Sequence, residues 1–268
     1  MRRHQQFADL HQAGCFVMPN PWDIGSAKLM AAKGAVALAT TSAGHAFTLG
    51  KPDMGHVTRD QALLHAAEMV AATPLPVNGD LENGYGDAPG TVAETIYLAG
   101  EAGLSGASIE DTTMRDDELS YPFELAVERV AAGAKAARAL GRPFMFTARA
   151  DGVMIGAYDM EEAIKRAQAF VAAGADVIYV PIPPGMEDIA RLCAAVDVPV
   201  NGLAAGPYLQ HGTADFAAAG VRRISLGSAI ARATHRVMDD ALTAMLGAGS
   251  FAPLQHAISG DKIDQMLE

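Results

Sequence analysis

The stretch VNGDLENGYG (77–86) places two carboxylates, Asp80 and Glu82, directly after the apolar approach Leu75-Pro76-Val77 and directly before a glycine turn. In an extended strand successive side chains alternate faces, so residues two apart are expected on the same side. A second acidic pair, Glu110 and Asp111, ends the run Gly106-Ala107-Ser108-Ile109. Adjacent residues point opposite ways, so if Glu110 joins the first pair, Asp111 turns away to pair or cap. Acidic oxygens gathered at several strand ends are the ligand chemistry of a hard divalent cation.

Such groups need a scaffold that brings strand ends together. The chain repeats one unit: an alanine-rich amphipathic segment, a glycine, then a short apolar run broken by polar or small residues. Eight candidate strands result, at 15–18, 35–40, 76–80, 106–110, 144–148, 177–181, 198–201 and 223–226. Helical patterns fall between them, for example at 88–102, 126–140, 160–173 and 187–195. Gly34, Gly103, Gly174 and Gly220 stand where helix C-caps belong. Alternating strands and helices predict a parallel sheet, and eight units predict closure into an α/β (β/α)8 TIM barrel. Residues 1–268 read as one barrel domain with a C-terminal helical extension from about 250 to 268. An open doubly wound sheet is the weaker alternative.

In such barrels the chemistry sits just after the strands. The rim then carries Trp22 and Asp23, Thr41-Ser42-Ala43, Asp80 and Glu82, Glu110, Arg149 and Asp151, and Asn201. No lysine stands at a strand end, which argues against a Schiff-base aldolase. The formal net charge of -11 argues against nucleic acid or anionic membrane partners, both of which need a basic face. It leaves room for a small anionic substrate, because a bound cation reverses the local sign. No apolar run reaches the roughly 18 residues of a membrane span. The polar start MRRHQQFADLHQAG lacks the apolar core of a signal peptide, so a soluble cytoplasmic protein is expected. Cys15 and Cys193 are too few for a disulfide framework.

The ordered set PNPWDIGSAKLMAAKGAVALATTSAG, LGKPDMG, DLENGYG, GASIED and TARADG resembles the isocitrate lyase/phosphoenolpyruvate mutase superfamily. The resemblance implies a Mg2+-dependent barrel enzyme, Mn2+ being the substitute ion, that makes or breaks a C–C or C–P bond beside a 2-oxo acid or enolate. It places Asp53, Asp80, Glu82 and Glu110 at the metal-site acids, with Glu82 where the family often has Asp. Several of them would hold the ion through water. Thr41, Ser42 and Ala43 match a turn that grips the substrate carboxylate or phosphonate. Arg149 matches an arginine that fixes a carboxylate, which a guanidinium fork does bidentately. Asp53, Glu110 and Arg149 are the candidate catalytic residues, and Trp22, Asp80 and Asn201 complete the candidate substrate contacts, Trp22 as an apolar wall. The resemblance also implies a homo-oligomer, a dimer or tetramer that exchanges C-terminal helices.

One departure narrows the chemistry. Isocitrate and methylisocitrate lyases carry a lysine-cysteine-glycine-histidine loop after the fourth strand. Here that loop reads DTTMRDDELSYPFELAVERV, without cysteine, lysine or histidine. The Lys and Asn common in phosphonopyruvate-processing members are also missing. What remains is chemistry that asks little of this loop: decarboxylation or retro-aldol cleavage of a small 2-oxo or 2-hydroxy carboxylate. Three other readings stand beside it: a phosphonate mutase or hydrolase, a phosphosugar isomerase or aldolase using the NGLAAG and ISLGSAI loops as a phosphate cradle, and a non-catalytic 2-oxo acid binder. His45 is a minor general-acid candidate, Tyr85 a packing residue, and the 13 methionines core filler.

Overall fold

The computed structural model describes residues 2–268. At its centre lie β1 (Phe16–Met18), β2 (Leu38–Ala39), β3 (Val77–Asp80), β4 (Gly106–Glu110), β5 (Met145–Arg149), β6 (Val177–Tyr179), β7 (Val200–Leu203) and β8 (Arg223–Ser225). Helix α1 (Arg2–Leu10) precedes β1, and α2 (Ile24–Ala32) links it to β2. Next come α3 (Ser42–Thr48), α4 (Arg59–Ala72), α5 (Pro89–Glu101) and α6 (Phe123–Ala139). The second half adds α7 (Gly152–Ile155), α8 (Met160–Ala172), α9 (Met186–Ala195), α10 (Thr213–Ala218), α11 (Ala229–Gly247) and α12 (Gly260–Leu267). All ladders are parallel, in the order β1-β8-β7-β6-β5-β4-β3-β2. This is the (β/α)8 barrel that the alternating pattern predicts.

Local chemistry accounts for the element ends. Asp23 and Ser26 form a reciprocal cap on α2, and Thr58 and Gln61 do the same on α4. Gly34, Gly103, Gly174 and Gly220 all take left-handed φ, as C-caps require. Strand β2 is shorter than its apolar run. The chain leaves α2 through Gly34, and the Ala35 N–H still bonds back to Met30 O, so pairing begins only at Leu38. At the C-terminus α12 packs back on α2, where Lys28 Nζ reaches the Leu267 carbonyl. Among the described residues no helix is long and apolar enough to cross a membrane.

β1 and β2 share no ladder, and the seam between them is closed by single bonds. The Ala39 N–H donates to Pro19 O at 3.1 Å. Buried Asn20 donates from Nδ2 to Thr40 O at 2.9 Å, and its Oδ1 accepts from the N–H groups of Leu226 (2.8 Å) and Gly227 (3.1 Å). One side chain thus ties β1 to the ends of β2 and β8. Asn20→Ala strands two backbone donors and one carbonyl and is expected to cost about 1–2 kcal/mol, read as a lower urea midpoint at unchanged slope. An unchanged midpoint would show that the seam does not depend on Asn20.

Register sets the site. Glu110 pairs with Arg149, Arg149 with Tyr179, Tyr179 with Asn201, and Asn201 with Arg223. Register partners in parallel strands face the same way, so five polar side chains form one lateral row inside the barrel. The apolar core lies mainly between strands and helices, with Phe146, Phe170, Leu81 and Ile96 fully enclosed.

Candidate active site

A cavity of about 370 Å3 opens at the C-terminal ends of the strands. One wall carries Asp53, Asp80, Glu82, Glu110 and Arg149 together with Thr41, Ser42 and Ala43. Asn201 lies on the same lining, so nine of the ten site residues expected from sequence converge. The tenth, Trp22, does not. Three residues separate it from the end of β1, and the chain there turns into the cap of α2. Trp22 backs the α3 turn instead, with its carbonyl accepting from His65 Nε2 at 3.0 Å. A Cβ on Gly44 would stand 3.1 Å from Trp22 Cβ and 2.5 Å from Thr41 Cγ2, which is why glycine occupies that turn.

Arg149 is the electrostatic hub. Its Nη1 lies 3.0 Å from Asp80 Oδ1 and 2.9 Å from Glu110 Oε1. Its Nε and Nη2 form a fork on Asp151 at 3.1 and 2.7 Å. The Tyr179 ring lies 4.8 Å from the guanidinium carbon. Burial alone would lower this arginine's pKa, but Asp151, Glu110 and Asp80 carry it well above the ordinary value. Three of the five guanidinium N–H groups donate to protein carboxylates, one to Asp80 and two to Asp151, and Glu110 adds an ion pair at Nη1. The bidentate substrate clamp expected from sequence is therefore not the state seen. The Nε–Nη2 fork is spent on Asp151, so a substrate carboxylate does not meet it.

The α3 turn also differs from expectation. Ser42 donates both its N–H and its hydroxyl to Asp80 Oδ2, each at 2.9 Å, and the Asp80 N–H donates to Thr40 Oγ1 at 2.8 Å. Thr41 Oγ1 caps α3 by accepting from the Gly44 N–H. The donors expected to hold a substrate thus hold Asp80, the strongest acceptor in reach, and aim its other oxygen at Arg149. Glu82 reaches the cavity by a different route than strand alternation. β3 ends at Asp80, and Glu82 takes φ +46°.

The acids crowd one another. Burial, then the nearby charge of Asp80, pushes Glu82 up to about 7, with the Gly55 N–H opposing at 3.3 Å. Burial holds Glu110 well above the carboxylate range, against the pull of Arg149. Burial also raises Asp53, and Asp80 adds to it. Arg149 pairs with Asp80 and Glu110 but not with Asp53 or Glu82, and these four carboxylates are an all-oxygen donor set that fits a hard divalent cation. Among the described residues no three acidic, histidine or cysteine side chains converge tightly enough to ligate one ion directly.

Residues without acid or base signatures complete the cavity. Met18, Met114, Met154, Ile182, Leu203 and Leu226 also line it, as do Tyr179 and Asn20. Tyr179 was readable in principle as the residue closing the sixth apolar run. The expected strand ran on to Pro181 and put the end two residues late. Arg223 lies on the floor, fully buried, bonded only to neutral acceptors: Asn201 Oδ1 (2.7 Å), Thr147 Oγ1 (3.2 Å) and His11 Nε2 (3.4 Å). Burial lowers it to about 9. Asn201, whose Nδ2 bonds Ser225 Oγ at 2.9 Å, therefore braces Arg223 as well as lining the cavity.

The loop after β4 forms a small hairpin bridged at Thr112 and Ser120. Asp87 clasps it, accepting from Tyr121 Oη at 2.7 Å and Arg115 Nη1 at 2.8 Å. Arg115 and Glu118 pair at the surface, and only Met114 from this loop lines the cavity. Asp111 turns away as expected, accepting from Tyr158 Oη, Arg166 Nη1 and the Asp151 N–H. His45 and Tyr85 also miss the cavity. His45 stacks on His65 at 3.9 Å behind the α3 turn, and burial lowers it to about 4. Among the described residues five non-glycine residues have left-handed φ, and four of them (Met54, Glu82, Met114 and Ile182) line this one cavity. Backbone strain of this kind collects at functional sites.

Comparison with known proteins gives the same fold and cavity a kinship. The family model for phosphoenolpyruvate phosphomutase matches residues 7–246. An uncharacterized protein of Mycobacterium tuberculosis is 34% identical over 225 residues, covering 83% of this chain and 81% of that one. An oxaloacetate decarboxylase of Rhodopseudomonas palustris is 32% identical over 203 residues, covering 74% of this chain and 69% of the enzyme. A crystal structure of a candidate lyase/mutase from Burkholderia cenocepacia superposes with a TM-score of 0.93 at 47% identity, covering 98% of this chain and 95% of that one.

Proposed function

This chain belongs to the phosphoenolpyruvate phosphomutase family of the isocitrate lyase/phosphoenolpyruvate mutase superfamily, and on that premise we propose a Mg2+-dependent carbon–carbon lyase acting on a small 2-oxo or 2-hydroxy carboxylic acid. One observation carries the reading. Among the described residues lining the cavity there are four carboxylates and three arginines (Arg149, Arg223 and Arg232), and no lysine, histidine or cysteine. Covalent catalysis by an amine or thiol has no side chain to use there, so the reaction is one whose electrons are accommodated electrostatically.

Asp53, Asp80, Glu82 and Glu110 would hold Mg2+, or Mn2+ in its place. Bound there, the ion supplies a Lewis acid toward the oxygen on the substrate's second carbon. Arg149 keeps positive charge beside the substrate carboxylate. Ser42 fixes Asp80, and Asp151 fixes Arg149. In a decarboxylation the bond to the departing carboxylate breaks, CO2 leaves, its electron pair passes into an enolate, and the enolate takes a proton from water. Retro-aldol cleavage needs a 2-hydroxy acid with a second carboxylate on C3: the hydroxyl proton passes to water, the C2–O bond becomes a carbonyl, the C2–C3 bond breaks, and its electron pair passes into the enolate of that second carboxylate, which takes a proton from water.

Oxaloacetate, 2-methylisocitrate, isocitrate and phosphonopyruvate, each assayed with and without EDTA, test the reading. Turnover of a carboxylate that EDTA abolishes is the expected result. If no carboxylate is turned over in an EDTA-sensitive way, the lyase reading fails. The phosphosugar alternative is weakened by Asn20, which takes the Leu226 and Gly227 N–H groups that a phosphate cradle would use.

A further inference from the structure

Asp151 holds the Arg149 fork, and what holds Asp151 lies outside the cavity. Its side chain is fully buried and, among the described residues, accepts only from Arg149. Its place is therefore set through its backbone. The Asp151 carbonyl accepts from the N–H groups of Met154 and Ile155 in its own turn, whereas its N–H crosses to Asp111 Oδ1, just after β4, at 2.8 Å.

Asp111 faces two ways. Oδ1 takes the Asp151 N–H, while Oδ2 accepts from Tyr158 Oη at 2.6 Å and from Arg166 Nη1, on α8, at 2.9 Å. Among the described residues Arg166 is the only cation paired with this buried acid, and its Nε turns back to Glu162 at 3.1 Å. The same Nη1 reaches Ser120 Oγ (3.2 Å) and Tyr121 O (3.0 Å), so the end of the hairpin after β4 is fastened there too. The Tyr158 ring lies 4.5 Å from the Arg166 guanidinium carbon, and a Cβ on Gly152 would collide with that ring. Glycine directly after Asp151 is thus what lets Tyr158 reach Asp111. None of Asp111, Tyr158 and Arg166 lines the cavity. Their contacts are buried hydrogen bonds to charged groups, the strong kind, so a displaced Asp111 carries the Asp151 N–H, its carboxylate and the fork with it.

We propose that Arg166 is a positioning residue for the site: through Asp111 and Asp151 it sets where the Arg149 guanidinium stands, and it ties the hairpin after β4 to that guanidinium. The effect on turnover rests on the carboxylate-lyase reading above; the placement of Arg149 does not. The Arg149 Nε–H resonance of the 15N-labelled full chain, assigned through its own side-chain carbons and recorded without substrate, reports the fork on Asp151. In Arg166→Met it should move or be lost to exchange with water, and kcat/KM for the carboxylate that is turned over should fall about tenfold or more, as when a group that orients a site residue is removed. Arg166→Lys restores the cation and should recover most of both. Should Arg166→Met fail to fold, Tyr158→Phe removes one donor from the same carboxylate and should shift the resonance by less. Ile96→Ala, a core vacancy on α5, is the control that loses stability with the resonance in place. A resonance unmoved in the folded Arg166 and Tyr158 variants overturns the proposal, and so does one that Ile96→Ala moves equally. A moved resonance with unchanged kcat/KM overturns the role in turnover. Where no carboxylate is turned over, the lyase reading fails, and the resonance still decides whether Arg166 places Arg149.

Discussion

Arg149→Met is expected to lower folding stability by about 3–5 kcal/mol and to abolish turnover, because removing the cation leaves Asp80, Glu110 and Asp151 buried around a vacated partner. Methionine fills a similar volume, so the loss is electrostatic rather than a cavity. The sign of its pH dependence follows from which form each acid prefers. Burial already holds Glu110 and Asp151 above their ordinary values against the pull of Arg149, and without the guanidinium both rise further. Their protonated forms are compatible with burial, and their charged forms are not. The deficit is therefore smallest at acid pH and grows as pH rises through those raised values. Urea midpoints of both proteins at pH 5 and pH 8, in EDTA, read it directly. Arg149→Lys keeps one charge but not the fork on Asp151, and should fall between the two. A deficit equal at both pH values would mean that Arg149 acts through packing and not as the counter-charge.

Glu82→Gln should move stability the opposite way. In the metal-free protein the Glu82 carboxyl is raised from 4.5 to about 7 by burial and by Asp80. A raised folded pKa contributes stability that is complete below the unfolded value and lost as pH climbs through about 7. Above that, the folded protein carries an unfavourable buried charge worth at most about 3 kcal/mol. Glutamine has no charge to bury. The variant should gain about 2 kcal/mol over wild type at pH 8, gain little at pH 5, and lose activity with the carboxylate. Excess Mg2+ should stabilise the wild type at pH 8 and leave the variant nearly unmoved. Melting temperatures at the two pH values, with and without Mg2+, provide the measurement. If glutamine brings no gain at pH 8, Glu82 is not the strained member of the acid wall.

Strand positions were legible because apolar runs of five or so residues begin just after glycines whose left-handed φ stops the preceding helix. β4 runs over residues 106–110 as expected. The acids were legible for a related reason: a charged residue directly after such a run has few places to go but the barrel mouth. Bonds were not. Nothing in TTSAG announces that Ser42 donates twice to Asp80, since that pairing joins residues 38 apart. Glu82 reached the cavity through a backbone conformation that a glutamate rarely adopts, so the alternation argument gave the right wall for the wrong reason. Trp22 was misplaced because three residues of loop can turn either way. The apolar lining was invisible altogether, because methionine and isoleucine at strand ends look the same as core.

The lateral row from Glu110 to Arg223 has a consequence for assembly of the barrel. A strand that slipped by one residue would turn Arg149 to the outer face and leave Glu110 without its cation. A slip by two would set Glu110 beside Thr147 or Asp151, an alcohol or a second anion. Hydrocarbon neighbours tolerate such errors far better, since one valine resembles the next. The charges that make the interior costly therefore also proofread it, and a barrel that closes out of step buries a charge without its partner.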